Sequence, residues 1–227
     1  MDELEIITTS DGSHTLRNKQ LNETYHSIHG AVQESTHVFI KNGLQYFYQT
    51  NQRKDISILE IGFGTGLNAW LTLQHAAQNQ IRINYQTLEP FPLAEEVWST
   101  LNYADADRQH FDLIHNSSWE KETSVTPEFS ILKQKISLGE AMLNDRYDVI
   151  YFDAFAPSVQ PELWVYDALK KVTERLNEGG VFVTYSAKGQ LKRDLKSLGL
   201  TVETLPGPPG KLQMVRARRE ALQMEGM

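Results

Sequence analysis

From Ser57 onward, apolar runs of strand length alternate with stretches whose apolar positions recur every three to four residues. The pattern predicts strands near 57–62, 82–89, 129–136, 147–152 and 180–185, with helices near 66–78, 92–102, 106–115, 160–176 and 187–198. Such alternation implies an α/β fold: a doubly wound, Rossmann-like parallel sheet with helices on both faces. Two further strands, near 200–205 and 212–217, flank Pro206-Gly207-Pro208-Pro209-Gly210, which is too stiff and too glycine-rich for a helix. They predict a closing hairpin. Before Ser57 the pattern is less regular. A turn signal, Asp11-Gly12-Ser13, is followed by His26-Ser27-Ile28-His29-Gly30-Ala31 and by the apolar pieces Val38-Phe39-Ile40 and Leu44–Tyr48. Residues 1–55 therefore read as an N-terminal extension packed on the core, 56–219 as the core domain and 220–227 as a tail. The segment Ser117–Glu128 reads as an ordinary surface loop.

Composition narrows the setting. At 227 residues the chain suits one α/β domain with an extension. It has no cysteine, so neither a disulfide framework nor a thiolate zinc site is available. No apolar run reaches 18 residues and no charged-then-apolar leader opens the chain, so a soluble, cytoplasmic protein with no membrane partner is expected. A net charge of −7 argues against a general nucleic-acid coat protein. The charge is uneven, however. Between Ser186 and Arg219 the basic residues Lys188, Lys192, Arg193, Lys196, Lys211, Arg216, Arg218 and Arg219 face only Asp194 and Glu203. That stretch reads either as an anionic-ligand patch or as a solvated helix face with a tail.

The chemistry concentrates at strand ends. Ile58-Leu59-Glu60-Ile61-Gly62-Phe63-Gly64-Thr65-Gly66-Leu67-Asn68 reads as strand, tight turn and helix. Glycines serve where a backbone turns sharply and a ligand approaches the main chain. Their spacing is not the G-x-G-x-x-G dinucleotide fingerprint, and the Lys-Ser/Thr of a phosphate loop is missing. The next strand ends at Glu89, roughly 20 residues past the loop, where doubly wound folds place a carboxylate for two ribose hydroxyls; the alternative is a solvated strand-end acid. Tyr147–Phe152 leads to Asp153-Ala154-Phe155-Ala156-Pro157. Ligands bind beyond the carboxyl ends of such strands, and the first and fourth strands are neighbours, so Asp153 is expected in the crevice of the glycine loop. His26 and His29 have no cysteine or carboxylate at ligand spacing, so no metal site is expected; they are candidates for a lid.

The glycine loop resembles motif I of the class I S-adenosylmethionine (AdoMet) methyltransferases, and the terminal hairpin fits their antiparallel final strand. Asp153-Ala-Phe-Ala-Pro-x(3)-Pro-Glu-Leu-Trp164 resembles the hallmark of the MnmC/MnmD family, the methyltransferase part of tRNA 5-methylaminomethyl-2-thiouridine biosynthesis and its stand-alone relatives. Glu34-Ser35-x-His37-Val38-Phe39-Ile40, Leu88-Glu89-Pro90-Phe91-Pro92-Leu93, Thr184-Tyr185-Ser186-Ala187-Lys188-Gly189-x(3)-Arg193-x-Leu195 and Gly207-x-x-Gly210-Lys211-x-x-Met214 are similar too. The resemblance covers nearly the whole chain and is to the stand-alone form. It implies AdoMet as cofactor, contacted by Glu60, Gly62, Phe63, Gly64, Thr65, Gly66, Asn68, Glu89 and Asp153. It implies methyl transfer to the exocyclic amine of 5-aminomethyl-2-thiouridine at the tRNA wobble position, with Asp153 as the catalytic acid-base group. It also implies contacts to the tRNA anticodon loop from Phe155, Trp164, Ser186, Lys188, Arg193 and Lys211, and a functional link to the enzyme supplying the aminomethyl precursor. One departure is plain: Leu132-Lys133-Gln134-Lys135-Ile136 offers no acid where the family usually contacts adenine. Two other readings stay open, a spermidine-synthase-like aminopropyltransferase or small-amine methyltransferase, and a non-catalytic AdoMet- or RNA-binding module.

Overall fold

A computed structural model describes residues 4–104 and 107–221. The chain opens with a three-stranded antiparallel sheet, β1 (Leu4–Thr8), β2 (His14–Asn18) and β3 (Glu23–Thr24). A long helix follows: α1 (Ala31–Ser35), a π-wound middle (Thr36–Gln45) and α2 (Tyr46–Asn51). The core then runs β4 (Asp55–Ile61), α3 (Leu67–Asn79), β5 (Arg82–Leu88), α4 (Glu95–Trp98), α5 (Arg108–Asn116), β6 (Thr123–Thr126), β7 (Phe129–Gln134) and β8 (Tyr147–Phe152). It closes with a 3₁₀ turn (Pro161–Leu163), α6 (Tyr166–Thr173), β9 (Leu176–Thr184), α7 (Gly189–Ser197), β10 (Thr201–Pro206) and β11 (Gln213–Arg218).

Eight strands form the main sheet in the order β10-β11-β9-β8-β4-β5-β7-β6. The five central strands are parallel, and β11 enters antiparallel to β9. This is the class I AdoMet-dependent methyltransferase topology, with the terminal hairpin inserting its last strand inside the sheet. Side chains alternate between two apolar layers. Ile58, Tyr85, Val149, Tyr151 and Val183 pack on one face with Trp70 and the long helix's Val38, Phe39, Leu44 and Phe47. Leu59, Ile61, Ile150, Phe152 and Phe182 pack on the other with Leu169, Val172 and Leu195. Every residue of β8 is buried, as a central parallel strand requires.

Several local expectations change. The helix expected over 92–102 is the single turn α4, because Pro90 and Pro92 hold the preceding chain extended as far as Ala94. The helix expected over 160–176 breaks at Val165, whose backbone is extended, and β9 begins at Leu176 rather than near 180. The loop expected at 117–128 contains edge strand β6, paired antiparallel with β7. The tail expected from 220 lies, beyond residue 221, outside the described residues. No helix among the described residues is long and apolar enough to cross a membrane.

Candidate active site

The ends of β4, β5 and β8 are level, and their registers fix the site. Gly62 N–H bonds Leu88 O, Glu89 N–H bonds Gln134 O and Asp153 N–H bonds Ile61 O, each at 3.0 Å. Three consecutive strand ends therefore deliver Gly62, Glu89 and Asp153 to one crevice, as the switch-point geometry of such sheets dictates. A cavity of about 1370 Å³ opens there.

On one side of it Glu89 accepts the Gly64 N–H at 3.0 Å with one oxygen and the Phe91 N–H at 2.8 Å with the other. Burial raises its carboxyl above the usual range while these two donors pull it down. Gly62 has φ +93°, and a Cβ there would lie 2.7 Å from the Asp153 carbonyl oxygen. Only glycine lets the first turn pass so close to the end of β8. Thr65 is clamped from two sides. Its hydroxyl meets His26 Nε2 at 2.7 Å, and its carbonyl accepts from His115 Nε2 at 3.1 Å. His115 donates, so its Nε2 carries the proton; burial first, with nearby Lys133 second, pushes its pKa down to about 3. His115 stacks on Trp98, with ring centroids 4.4 Å apart. Below it, buried Lys133 donates to the His115 carbonyl at 2.5 Å and sits 4.9 Å from the Trp119 ring centroid.

On the other side stands Asp153. Its Oδ2 accepts from Asn68 Nδ2 at 2.8 Å, and Asn68 also donates to Glu60 at 3.1 Å. Burial chiefly, then the charge of Glu34, raises Asp153 to about 7. Glu60, wholly buried and bonded to Thr87, is pushed up to about 8 by burial. Phe155, held by Gln160 and in edge contact with Tyr25, continues the wall, and Tyr185 donates its hydroxyl to Ala154 O at 2.8 Å.

Of the residues singled out from the sequence, Gly62, Phe63, Gly64, Thr65, Glu89, Asp153, Phe155 and Lys211 line the cavity. Glu60, Gly66 and Asn68 do not: Glu60 and Asn68 stand behind Asp153, and Gly66 packs against the His115 ring. Trp164 is buried against Phe152 with its indole N–H on Phe155 O at 2.8 Å, so it props the wall instead of facing the cavity. Ser186 is buried behind the wall, while Lys188, the N-cap of α7, and Arg193, in the middle of that helix, do not line the cavity. The basic stretch is also partly neutralised within the fold. Glu203 pairs with Arg216 at 2.8 Å and with Arg218 at 3.7 Å, and Lys211 pairs with Glu34 at 2.6 Å.

The sequence reading missed Tyr25 and Glu34 as cavity walls; Tyr185 and the lid candidates His26 and His29 line the cavity too. That reading also missed Glu140. The chain after β7 runs past Ile136 through Ser137-Leu138-Gly139-Glu140, all lining the cavity. Glu140 accepts the Ser137 hydroxyl at 2.6 Å. The Gly-acid pair was legible; only its distance from the strand was longer than expected.

A family model described as S-adenosyl-L-methionine-dependent methyltransferase matches residues 114–220. The chain is 28% identical over 210 residues to the tRNA 5-methylaminomethyl-2-thiouridine biosynthesis bifunctional protein MnmC of Methylobacillus flagellatus, covering 86% of this chain and 32% of that one. With the Burkholderia multivorans protein of the same name it shares 28% identity over 225 residues, 88% of this chain and 33% of that one. The crystal structure of MnmC2 from Aquifex aeolicus superposes with a TM-score of 0.83 at 28% identity, over 97% of this chain and 72% of that one. The chain is thus similar to MnmC proteins over most of its length, and its C-terminal half matches an AdoMet-dependent methyltransferase model. It spans about a third of the length of the curated relatives it matches. Spermidine synthase from Thermotoga maritima, at 14% identity and a TM-score of 0.57, shares the fold alone.

The matching family model is of AdoMet-dependent methyltransferases, and the crevice fits that cofactor. The main chain is bare at Gly62 and Gly64, a half-buried carboxylate waits at Glu89, and the wall acids Glu34 and Asp153 suit a sulfonium cation. Gly62–Thr65 would hold its amino-acid end, Glu89 the ribose and the 136–140 turn the adenine.

Proposed function

We propose that this chain transfers a methyl group from AdoMet to the exocyclic amine of 5-aminomethyl-2-thiouridine at the tRNA wobble position, giving 5-methylaminomethyl-2-thiouridine. The observation that carries the reading is Asp153: a half-buried carboxylate with a raised pKa, fixed by Asn68, on the wall of the cofactor crevice. AdoMet supplies an electrophilic methyl. The chain's residues must present a neutral amine in line with it. Positioning supplies most of the rate in such displacements.

A primary ammonium has no lone pair, so it must lose a proton. Asp153, titrating near 7, is matched to accept one at neutral pH. Asn68 fixes one carboxylate oxygen, which leaves the other for the amine. The base must leave the anticodon loop to enter. Phe155, Tyr25 and Tyr185 offer aromatic faces along that path. Lys188 and Arg193, at the start and in the middle of α7, would take tRNA phosphates. The setting is cytoplasmic, and an upstream enzyme provides the aminomethyl group. Incubating the chain with labelled AdoMet and tRNA bearing 5-aminomethyl-2-thiouridine tests the reading. Label in the wobble nucleoside is expected, and transfer only to free polyamines, or none at all, would overturn it.

A further inference from the structure

The roof of the cavity holds an ion pair that the reaction as described does not use. Glu34, nearly buried, accepts the Ser27 N–H with Oε2 and the Lys211 ammonium with Oε1, both at 2.6 Å. The same ammonium sits 3.7 Å from the centroid of the Tyr185 ring. A carboxylate on one side and an aromatic face on the other is the environment that best holds an alkylammonium. All three side chains line the cavity that contains Asp153, and Glu34 lies close enough to raise Asp153's pKa.

Two bland explanations fail. The pair is not needed to dock the turn at 207–212 on α1. His37 already bonds the Pro206 carbonyl at 2.9 Å, and the His29 ring covers Gly210. Nor is Lys211 placed for phosphate, because its ammonium points inward and is neutralised by Glu34. The lysine side chain is the more exposed of the pair, at 33% against 6%, so it can swing out while the glutamate stays.

We propose that Glu34 and Tyr185 form the specificity slot for the substrate's primary ammonium, and that Lys211 is a resident stand-in displaced when the substrate enters. This rests on the amine-methylation reading above. Glu34 selects a cationic aminomethyl group over a neutral 5-substituent and holds it beside Asp153, which then receives its proton. The resident ammonium keeps the carboxylate paired when no substrate is present, since an unpaired buried charge is costly. It also weakens substrate binding by the fraction of time the slot is filled.

The test needs neither tRNA nor turnover, so it stands apart from the methylation assay. Binding of 5-aminomethyluracil and of neutral 5-hydroxymethyluracil to the full chain is measured by calorimetry. Lys211→Ala is expected to tighten the amine at least about tenfold by emptying the slot, and to leave the hydroxymethyl compound unchanged. Glu34→Gln is expected to abolish the preference for the amine. Should Glu34→Gln not fold, the Lys211→Ala arm decides alone, because unfolding cannot tighten binding. Weaker or unchanged amine binding in Lys211→Ala, or equal tightening of both compounds, overturns the proposal.

Discussion

The floor and the roof of the crevice are built by different means. The floor is backbone: three adjacent parallel strands end level, and their main-chain bonds place Gly62, Glu89 and Asp153. The roof is side chain: residues 25–37 reach the 206–211 turn through His37 on Pro206, His29 against Gly210 and Lys211 on Glu34. A site fixed by sheet register cannot move without unravelling the core, whereas one closed by three side-chain contacts can open locally. The floor is therefore the natural place for a cofactor, and the roof for a bulky substrate that must enter and leave.

The sharpest way to break this contrast is at Asp153. Asp153→Ala is expected to bind AdoMet nearly as wild type and to methylate at least about a hundredfold more slowly. The wild-type rate should rise with pH through about 7 as the Asp153 carboxyl ionises, and the variant should lose that limb while high pH partly restores it. Lost AdoMet binding in Asp153→Ala would assign the residue to structure instead.

Glu89 comes next. Calorimetric titration with AdoMet should show Glu89→Ala losing roughly 1.5–3 kcal/mol, the value of charge-assisted bonds. Because Glu89 also holds the Gly64 and Phe91 amides, Glu89→Gln should fall between the two. Undiminished affinity in Glu89→Ala would remove the ribose assignment.

A pair of glycine substitutions compares floor and roof directly. Gly62→Ala meets main chain, the Asp153 carbonyl, and should cost about 2 kcal/mol or more in denaturant unfolding. Gly210 also has positive φ, at +84°, but an added Cβ there meets the His29 ring, which can swing away. Gly210→Ala should therefore cost only about 1 kcal/mol. Equal costs would refute the distinction.

Glu60 gives a pH test of the floor. Its folded pKa, about 8, exceeds the 4.5 of an unperturbed glutamate because burial disfavours its charge. The folded state therefore keeps this proton after the unfolded chain has lost it, and the residue's contribution to stability falls as pH rises between those two values. Glu60→Gln mimics the protonated form. Its stability relative to wild type should improve from pH 5 to pH 9 by a few kcal/mol (~1.4 per pH unit over most of that span), read as a change in Tm difference. A pH-independent difference would contradict the assignment.

The smallest effect is expected outside the crevice. Lys188→Ala with Arg193→Ala should weaken tRNA binding severalfold and reduce its salt slope by about 1.5, leaving AdoMet affinity alone. An unchanged slope would exclude this helix end from the tRNA contact.

The floor was largely readable beforehand, and the roof was not. Strand ends followed by glycines or acids mark Gly62, Glu89 and Asp153, since in a doubly wound sheet the carboxyl ends of adjacent strands must share one crevice. The covering of β5 and β8 by helices followed from the apolar alternation. The roof escaped because its contacts join residues far apart in the chain, such as Glu34 to Lys211 and His26 to Thr65. No local periodicity marks such pairs. Trp164 misled for a related reason: an aromatic in a conspicuous motif can as well prop a loop from behind as face a ligand, and its indole bond to Phe155 settles which.

What the sequence determined by itself is therefore the parallel centre of the sheet and the three residues at its strand ends, because local propensity and chain topology suffice to place them. Only the tertiary structure decided which charges remain available. The basic C-terminal stretch loses Arg216 and Arg218 to Glu203, and Lys211 turns inward to Glu34. Net charge along a chain says nothing about pairing across it, and pairing is set by which side chains the folded backbone brings within a few ångströms.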